Sequence, residues 1–198
     1  QYSMVNLRGD ARVDEARWNR IPPEKEVAET AVAVGGRGIR VIRTRDRRGA
    51  LETLRGVIPR GAEVMNGSST TLIEIGYEDL LQSGKAGWRD LHDLITAEND
   101  DRKRAELGRG SVPAEYFVSG ANAIARTGEI VACDASGSRV GAWPFAAGHL
   151  ILVSGINKIV PTLDDALRRI REYAYPLENA RAKRAYGIPS QIGKCVIL

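Results

Sequence analysis

The chain has few of the residues that hold metal ions or form disulfides. Its 198 residues include two cysteines and two histidines. Cys133, Cys195, His92 and His149 form no CxxC, HExxH or similar spacing, so we expect neither a protein-held metal nor an iron–sulfur cluster. So few cysteines are typical of a reducing compartment and argue against a secreted disulfide scaffold.

Long apolar runs are also missing. The longest stretches, such as residues 150–153, have the length of a strand, whereas a membrane-spanning helix needs about 18 apolar residues. The chain does not start with a basic segment followed by an apolar core, which is the pattern of a signal peptide. We therefore expect a cytoplasmic protein that does not bind membranes.

Two common catalytic and cofactor motifs are absent as well. The glycine-rich residues 35–38 precede a predicted strand, whereas the dinucleotide-binding fingerprint follows one. No Ser/His/Asp nucleophile signature is present, and we expect both histidines to be structural. The sequence therefore predicts no bound cofactor.

The charge is +4 at neutral pH. Arginines are dense at positions 37–48 and 168–171, and they either form a nucleic-acid patch or belong to a solvated face. Because no aromatic residue interleaves them for base stacking, we favour the solvated face. Nucleic acid is therefore not an expected partner, although it stays an alternative.

The apolar patterning predicts an α/β domain with a sheet covered on both faces. Hydrophobic residues make up 43% of the chain, enough for a real core. The predicted helices are residues 24–34, 47–56 with an Asp46 cap, 71–84 with a Thr71-x-x-Glu74 capping box, 97–107, 163–175 with a Thr162 cap and Pro176 at its end, and 177–186. The predicted strands are residues 39–42, 62–65, 116–118, 130–133, 150–153 as a buried central strand, and 195–198.

The first segment that suggests chemistry is Asn66-Gly67-Ser68-Ser69-Thr70-Thr71, which joins a strand end to a helix start. Gly67 permits a turn that a side chain would obstruct. Free backbone amides at a helix start, with the hydroxyls of Ser68, Ser69 and Thr70, suit a phosphate or carboxylate. An ordinary helix cap is the alternative interpretation.

The second segment is Ser119-Gly120-Ala121-Asn122, with Thr127-Gly128-Glu129 close behind. Both lie next to apolar strands, where α/β folds place ligands. Asn122 offers a donor and an acceptor, and Glu129 offers a carboxylate that suits a base or a nucleophile. An exposed turn at Glu129 and a local cap at Asn122 are the alternatives.

The third segment is Asp134-Ala135-Ser136-Gly137-Ser138-Arg139. Arg139 suits bidentate binding of a carboxylate or phosphate, and Asp134 and Ser138 are further candidate ligand contacts. Alternatively, Asp134 and Arg139 pair with each other and brace the loop.

Several stretches, in this order, carry a resemblance to a known family. They are residues 65–76 (MNGSSTTLIEIG), 103–107 (KRAEL), 119–131 (SGANAIARTGEIV), 134–141 (DASGSRVG), 155–161 (GINKIVP) and 175–178 (YPLE). The chain resembles the lactate-utilisation (LUD) domain family from about Trp18 to its C-terminus. The resemblance divides the chain into an N-terminal extension, residues 1–17, and a single domain, residues 18–198. Family members usually continue with a further hairpin.

The resemblance implies a fold and a function. The fold is the three-layer α/β/α arrangement, with a mostly parallel central sheet, of ribose-5-phosphate isomerases, glucosamine-phosphate deaminases and CoA transferases. Some relatives act beside iron–sulfur proteins in oxidising L-lactate to pyruvate, so iron–sulfur oxidoreductase subunits are expected partners. CoA transferases of this fold use a glutamate nucleophile, for which Glu129 is the candidate. The chain is then an accessory subunit or enzyme that binds a small carboxylate or phosphorylated ligand, or a non-catalytic assembly module.

Overall fold

The computed structural model describes residues 11–198, which form two compact units. The first unit combines the described residues up to Ile42 with Ala121–Gly137 and Ser154–Leu198. The second combines Arg43–Gly120 with Ser138–Val153. The predicted extension lies partly in residues 1–10, outside the described part, and the predicted domain boundaries stay a prediction.

Helices and strands alternate along most of the described chain, as predicted. The helices are α1 (Glu15–Trp18), α2 (Glu24–Gly35), α3 (Arg47–Val57), α4 (Thr70–Glu74), α5 (Tyr77–Gln82), α6 (Leu91–Ala97), α7 (Asp101–Gly110), α8 (Ser138–Gly141), α9 (Leu163–Arg169) and α10 (Tyr175–Tyr186). The strands are β1 (Glu63–Asn66), β2 (Arg89–Asp90), β3 (Tyr116–Gly120), β4 (Ala123–Ala125), β5 (Ile130–Asp134), β6 (His149–Val153), β7 (Ile159–Val160) and β8 (Lys194–Ile197). Asp46 and Thr162 cap α3 and α9 as predicted.

The second unit contains a parallel sheet with the strand order β2-β1-β3-β6. From β1 the chain crosses to β2 on one side, whereas from β3 it proceeds to β6 on the other. Crossovers between parallel strands are right-handed, so helices between β1 and β2 cover one face and those between β2 and β3 the other. The predicted three-layer α/β/α arrangement with a parallel central sheet is confirmed.

One face of this sheet packs against α3, α4 and α5. Leu54 and Ile58 from the α3 region and Leu72 from α4 join Val64 and Val118 of the sheet in one buried cluster. Tyr77 of α5 is fully buried in this cluster, and burial raises the pKa of its phenol. Alternate side chains of β1 and β3 face these helices, because successive side chains of a strand point to opposite faces of the sheet. Contacts with these side chains hold the helices on the sheet.

The first unit contains a mixed sheet with the order β7-β4-β5-β8. Its core joins Trp18, Val131 and Leu177, among others, around a buried arginine. The Nε of Arg169 donates to the carbonyl of Trp18 at 2.9 Å, and its Nη1 donates to the carbonyl of Asn122. Its guanidinium lies 4.8 Å from the ring centroid of Tyr173, and burial lowers the pKa of Arg169 to about 10. This cation ties α9 to α1 and to the start of β4.

Two strand predictions are wrong. Residues 39–42 form neither a helix nor a strand and pair with no strand in the described chain, and Val41 and Ile42 are exposed. Their apolar residues predict a strand, but a strand forms only where a partner edge is available. The segment 150–153 does form β6, but within the described sheet it is an edge strand bonded to β3, not a buried central strand.

Three helix predictions are also corrected. Ser69, not Thr71, caps α4, and Gly76 at φ 81° separates α4 from α5, so residues 71–84 are not one helix. Residues 97–107 span the end of α6 and most of α7. Pro176 does not end its helix: a π-helical turn, Ile170–Ala174, leads into α10, where the proline lies in the first turn. Because the π-helical turn interrupts the regular i→i−4 bonding just before the proline, the missing N–H does not end the helix.

Cys133 and Cys195 form a disulfide, although so few cysteines are typical of a reducing compartment. The two residues are 62 positions apart and are direct cross-strand partners of β5 and β8. Sequence spacing carries no information about such a partner, because the pairing of β5 with β8 is decided by the fold. Within residues 11–198, no helix has both the length and the apolar character required to cross a membrane.

Candidate functional site

The parallel sheet of the second unit has a topological switch point between β1 and β3. The chain leaves the carboxyl ends of these neighbouring strands in opposite directions, and α/β proteins bind ligands in the crevice that this creates. Asn66 ends β1 and Gly120 ends β3. The amide of Gly67 donates to the carbonyl of Val118 at 3.0 Å, which joins the two strand ends. The sequence-predicted segments Gly67–Thr70 and Ser119–Gly120 therefore meet at this edge.

Arg139 lies directly over Gly67. A Cβ added at position 67 would be 2.7 Å from the Cγ of Arg139, 2.8 Å from its Cδ and 3.0 Å from the Oγ of Ser119. Any side chain at position 67 would collide with the stem of Arg139, so this close approach requires glycine. The structure thus brings together Gly67, Ser119 and Arg139, three residues separated by up to 72 sequence positions.

A second glycine makes room for Ser69. A Cβ at Gly120 would lie 2.1 Å from the Oγ of Ser69. That Oγ accepts from the amide of Leu72 at 3.4 Å, which fixes Ser69 as the cap of α4. Ser68 beside it is exposed, while Ser69 and Thr70 are half-buried. Since α4 has only five residues, its dipole contributes little, and the polar side chains around the strand ends are the hydroxyls of Ser68, Ser69 and Thr70 and the side chain of Arg139.

Three buried side-chain polar atoms of the second unit have no hydrogen-bond partner among the described residues: the Oδ1 of Asn66, the hydroxyl of Tyr77 and the Nε1 of Trp143. Asn66 is 6% exposed and Trp143 is 5% exposed. Asn66 immediately precedes Gly67, and Trp143 follows Arg139 by four residues, or about one helical turn. An unpaired buried polar group costs about 1–3 kcal/mol. The position of Asn66 at a strand end is the signal that would have singled it out, whereas nothing in the sequence marks Trp143.

Asn122 belongs to the first unit, and its polar groups serve the backbone there. Its Oδ1 accepts from the amide of Cys133 at 2.9 Å, and its carbonyl accepts from Arg169. The Nζ of Lys158 donates to the neighbouring carbonyl of Ala121 at 2.8 Å. The contacts of Asn122 join the start of β4 to β5 and α9, across sequence separations too long for the local cap that is the alternative for Asn122.

Glu129, also in the first unit, is held by two donors. Its carboxylate accepts from the Nη2 of Arg37 and from the hydroxyl of Thr127. The Thr127 hydrogen bond is the largest cause of the lowered pKa of Glu129, and the charge of Arg37 adds to it. Gly128, which lies between Thr127 and Glu129, has a φ of 103° and packs against the end of α2. A Cβ at this position would lie 2.7 Å from the carbonyl oxygen of Ala33. The carboxylate therefore ties this turn to the end of α2.

We expect Glu129→Gln to lower the free energy of unfolding by about 1 kcal/mol at pH 7, because a partly exposed ion pair is lost. A carboxyl with a lower pKa in the folded than in the unfolded state stabilises the fold above its unfolded pKa. That stabilisation is lost as the pH falls through the folded pKa. Urea titrations from pH 7 to pH 3 should show the two proteins converging in acid. A difference that persists at pH 3 would contradict this assignment.

The third segment divides between the units. Asp134 ends β5 in the first unit and pairs in register with Lys194, and the hydroxyl of Ser136 donates to its Oδ1 at 3.3 Å. Ser138 and Arg139 start α8 in the second unit. His149 is exposed at the start of β6, and its ring stacks on Tyr116 at 4.7 Å. Of the predicted ligand contacts, Gly67, Ser68, Ser69, Thr70, Ser138 and Arg139 lie in the second unit.

The arginine-rich stretches are partly neutralised by carboxylates. Arg48 pairs with Glu52 at 2.9 Å and Arg168 with Glu172 at 3.1 Å, in both cases four residues along one helix. Arg169 is buried and bonds to backbone carbonyls. These pairings fit the interpretation of a solvated face.

Comparison with known proteins gives one family. The model of the LUD domain matches residues 27–189, well over half of the chain. None of the curated proteins matches the chain significantly. The match covers the strand ends of the switch point and all of α8. Among the described residues, no group of three or more His, Cys, Asp or Glu side chains is placed to share a metal ion.

Proposed function

We propose that this chain, which belongs to the LUD domain family, binds a small carboxylate or phosphorylated ligand at the β1–β3 switch point of its second unit. The family relates the protein to lactate utilisation. More specifically, we propose that the protein takes part in the oxidation of L-lactate to pyruvate, as an accessory subunit or as an enzyme.

The observation that carries this proposal is the crossing of Arg139 over Gly67 at the strand ends. A guanidinium matches the two oxygens of a carboxylate or phosphate and stays charged at any physiological pH. The hydroxyls of Ser68, Ser69 and Thr70 supply neutral donors around it. Such a donor set favours an anion over a neutral or cationic ligand.

A non-catalytic role is the second candidate. It is supported by the contacts of Glu129 and Asn122, whose side chains are engaged with Arg37, Thr127 and Cys133 rather than with each other. In that role the chain assembles or regulates an iron–sulfur oxidoreductase, and the electrons of lactate oxidation pass through that partner. Binding of the anion then controls assembly rather than chemistry.

We expect Arg139→Met to weaken ligand binding by about 10- to 100-fold, because one charge-assisted contact contributes roughly 1.5–3 kcal/mol. Isothermal titration calorimetry with L-lactate, pyruvate, inorganic phosphate and a CoA ester measures this. Arg102→Met is the matched control. Arg102 lies on α7 of the same unit and its side chain is 90% exposed. Its replacement changes the net charge by the same amount.

The titrations separate the possibilities. Binding by the wild type and the Arg102 variant, with loss in the Arg139 variant, supports the site. No binding of any of these anions by the wild type refutes it. If the anion binds, turnover of L-lactate with an artificial electron acceptor decides between the enzyme and the assembly module.

A further inference from the structure

We propose that the Cys133–Cys195 disulfide is a thiol–disulfide exchange site, and that its reduction by an external dithiol releases the last strand of the first unit. The inference does not depend on the anion site, because both sulfurs and every contact used below belong to the first unit.

The disulfide joins directly opposite residues of two antiparallel strands. Ile130 and Leu198 exchange both backbone hydrogen bonds, at 3.2 and 3.0 Å. Hydrogen-bonded and non-hydrogen-bonded pairs alternate along the ladder, so Cys133 and Cys195 form a non-hydrogen-bonded pair, with their Cα atoms 4.2 Å apart. The side chains of such a pair approach each other closely, which is why the sulfurs can bond without displacing either strand.

One of the two cysteines is open to an attacking thiolate. Cys195 is exposed, whereas Cys133 is half-buried against the apolar core. Exchange depends on access to a sulfur atom, so an external reagent reaches Cys195 first. No described strand lies on the far side of β8.

Few contacts of the described residues hold β8 in place. It has four residues, it pairs with no described strand other than β5, and Val196 is its one buried residue. The preceding residues Ile188 and Ile192 are exposed. Short edge strands with few buried apolar contacts open at the low end of the stability range of a protein. The covalent bond is therefore a substantial constraint on this strand, beside its short ladder with β5.

Release of β8 also frees the turn that carries Asp134. A Cβ at Gly137 would lie 2.7 Å from the Cδ of Lys194, and one at Gly193 would lie 3.0 Å from the carbonyl oxygen of Ala135. The turn after β5 and the segment before Cys195 are thus in close contact. Loss of the disulfide loosens both together.

The exchange is a two-electron reduction. A thiolate of the dithiol attacks the sulfur of Cys195, the disulfide bond breaks, and Cys133 leaves as a thiolate that takes up a proton. The second thiol of the reagent then attacks the mixed disulfide and releases Cys195. The dithiol is oxidised to a disulfide, and both cysteines end as thiols.

Hydrogen exchange of the full chain, read by mass spectrometry before and after dithiothreitol, tests this. In the reduced protein we expect amides of 194–197 and 130–134 to exchange about thirtyfold faster or more, which is the effect of removing a typical disulfide. Amides of α3 and β1 should not change. The double variant Cys133→Ser, Cys195→Ser should behave like the reduced wild type without any reagent.

Reversibility is the second part of the test. Thiol alkylation followed by mass measurement should show the bond reforming when oxidised glutathione replaces dithiothreitol. The proposal is overturned if the cysteines stay as thiols in oxidised glutathione. It is equally overturned if β8 exchanges at the same rate in both states.

Discussion

Arg169→Ala should lower the free energy of unfolding by about 3–5 kcal/mol, because a buried donor with two backbone acceptors disappears. The carbonyls of Trp18 and Asn122 lose their donor, and each unpaired buried acceptor costs about 1–3 kcal/mol. Trp18 is 3% exposed, so water cannot replace the guanidinium without opening the core. Loss of the contact with the Tyr173 ring adds to the effect. The desolvation that lowers the pKa of Arg169 is recovered in the variant, but it does not outweigh these losses.

The neighbouring residue provides the control for this prediction. Arg168 lies on the same helix, but it is exposed and pairs only with Glu172. We expect Arg168→Ala to change the free energy of unfolding by less than about 0.5 kcal/mol. Urea denaturation followed by circular dichroism measures both variants. Equal effects of the two substitutions would show that Arg169 is not the organising cation of the first unit.

Gly67→Ala should reduce anion binding nearly as much as Arg139→Met, by about 10-fold or more. The added methyl group would overlap the Cγ and Cδ of Arg139, so the Arg139 side chain has to move away from the strand end. Position 67 has no positive φ, and the effect is therefore steric at Arg139 rather than backbone strain. Calorimetric titration of the ligand that the wild type binds is the measurement.

A double variant distinguishes this mechanism from general damage. If Gly67 acts by positioning Arg139, Gly67→Ala should cost little further affinity in the Arg139→Met background. Gly108→Ala is the matched glycine control, because nothing lies within 4 Å of a Cβ at that helical position. It should leave affinity unchanged and raise stability slightly. Additive losses in the double variant would argue against the positioning role of Gly67.

Local signals in the sequence were sufficient for many elements. Asp46 and Thr162 predict the starts of α3 and α9 because a short polar side chain bonds to backbone amides within one turn. The apolar runs at β1 and β5 likewise predict these two strands without any information about their neighbours. The split at Gly76 was missed because a glycine inside a helical pattern is ambiguous until its φ is known.

The candidate site was predicted in part. The segments Gly67–Thr70 and Ser138–Arg139 were singled out because their residue types suit an anion, but only the parallel order of β1 and β3 makes them neighbours. Glu129 and Asn122 have equally suitable residue types. Their hydrogen bonds to Arg37, Thr127 and Cys133 come from sequence positions that no local pattern connects to them.

The amino-acid sequence by itself determined the α/β class, most helix and strand positions, and the family, since each depends on short-range patterns along the chain. Tertiary structure alone decided that residues 39–42 pair with no described strand, that β6 lies at the edge of the described sheet and that Cys133 bonds to Cys195. It also placed Arg139 over Gly67. Each of these outcomes depends on which strand lies beside which, and strand neighbours are set by the packing of distant segments into a common core.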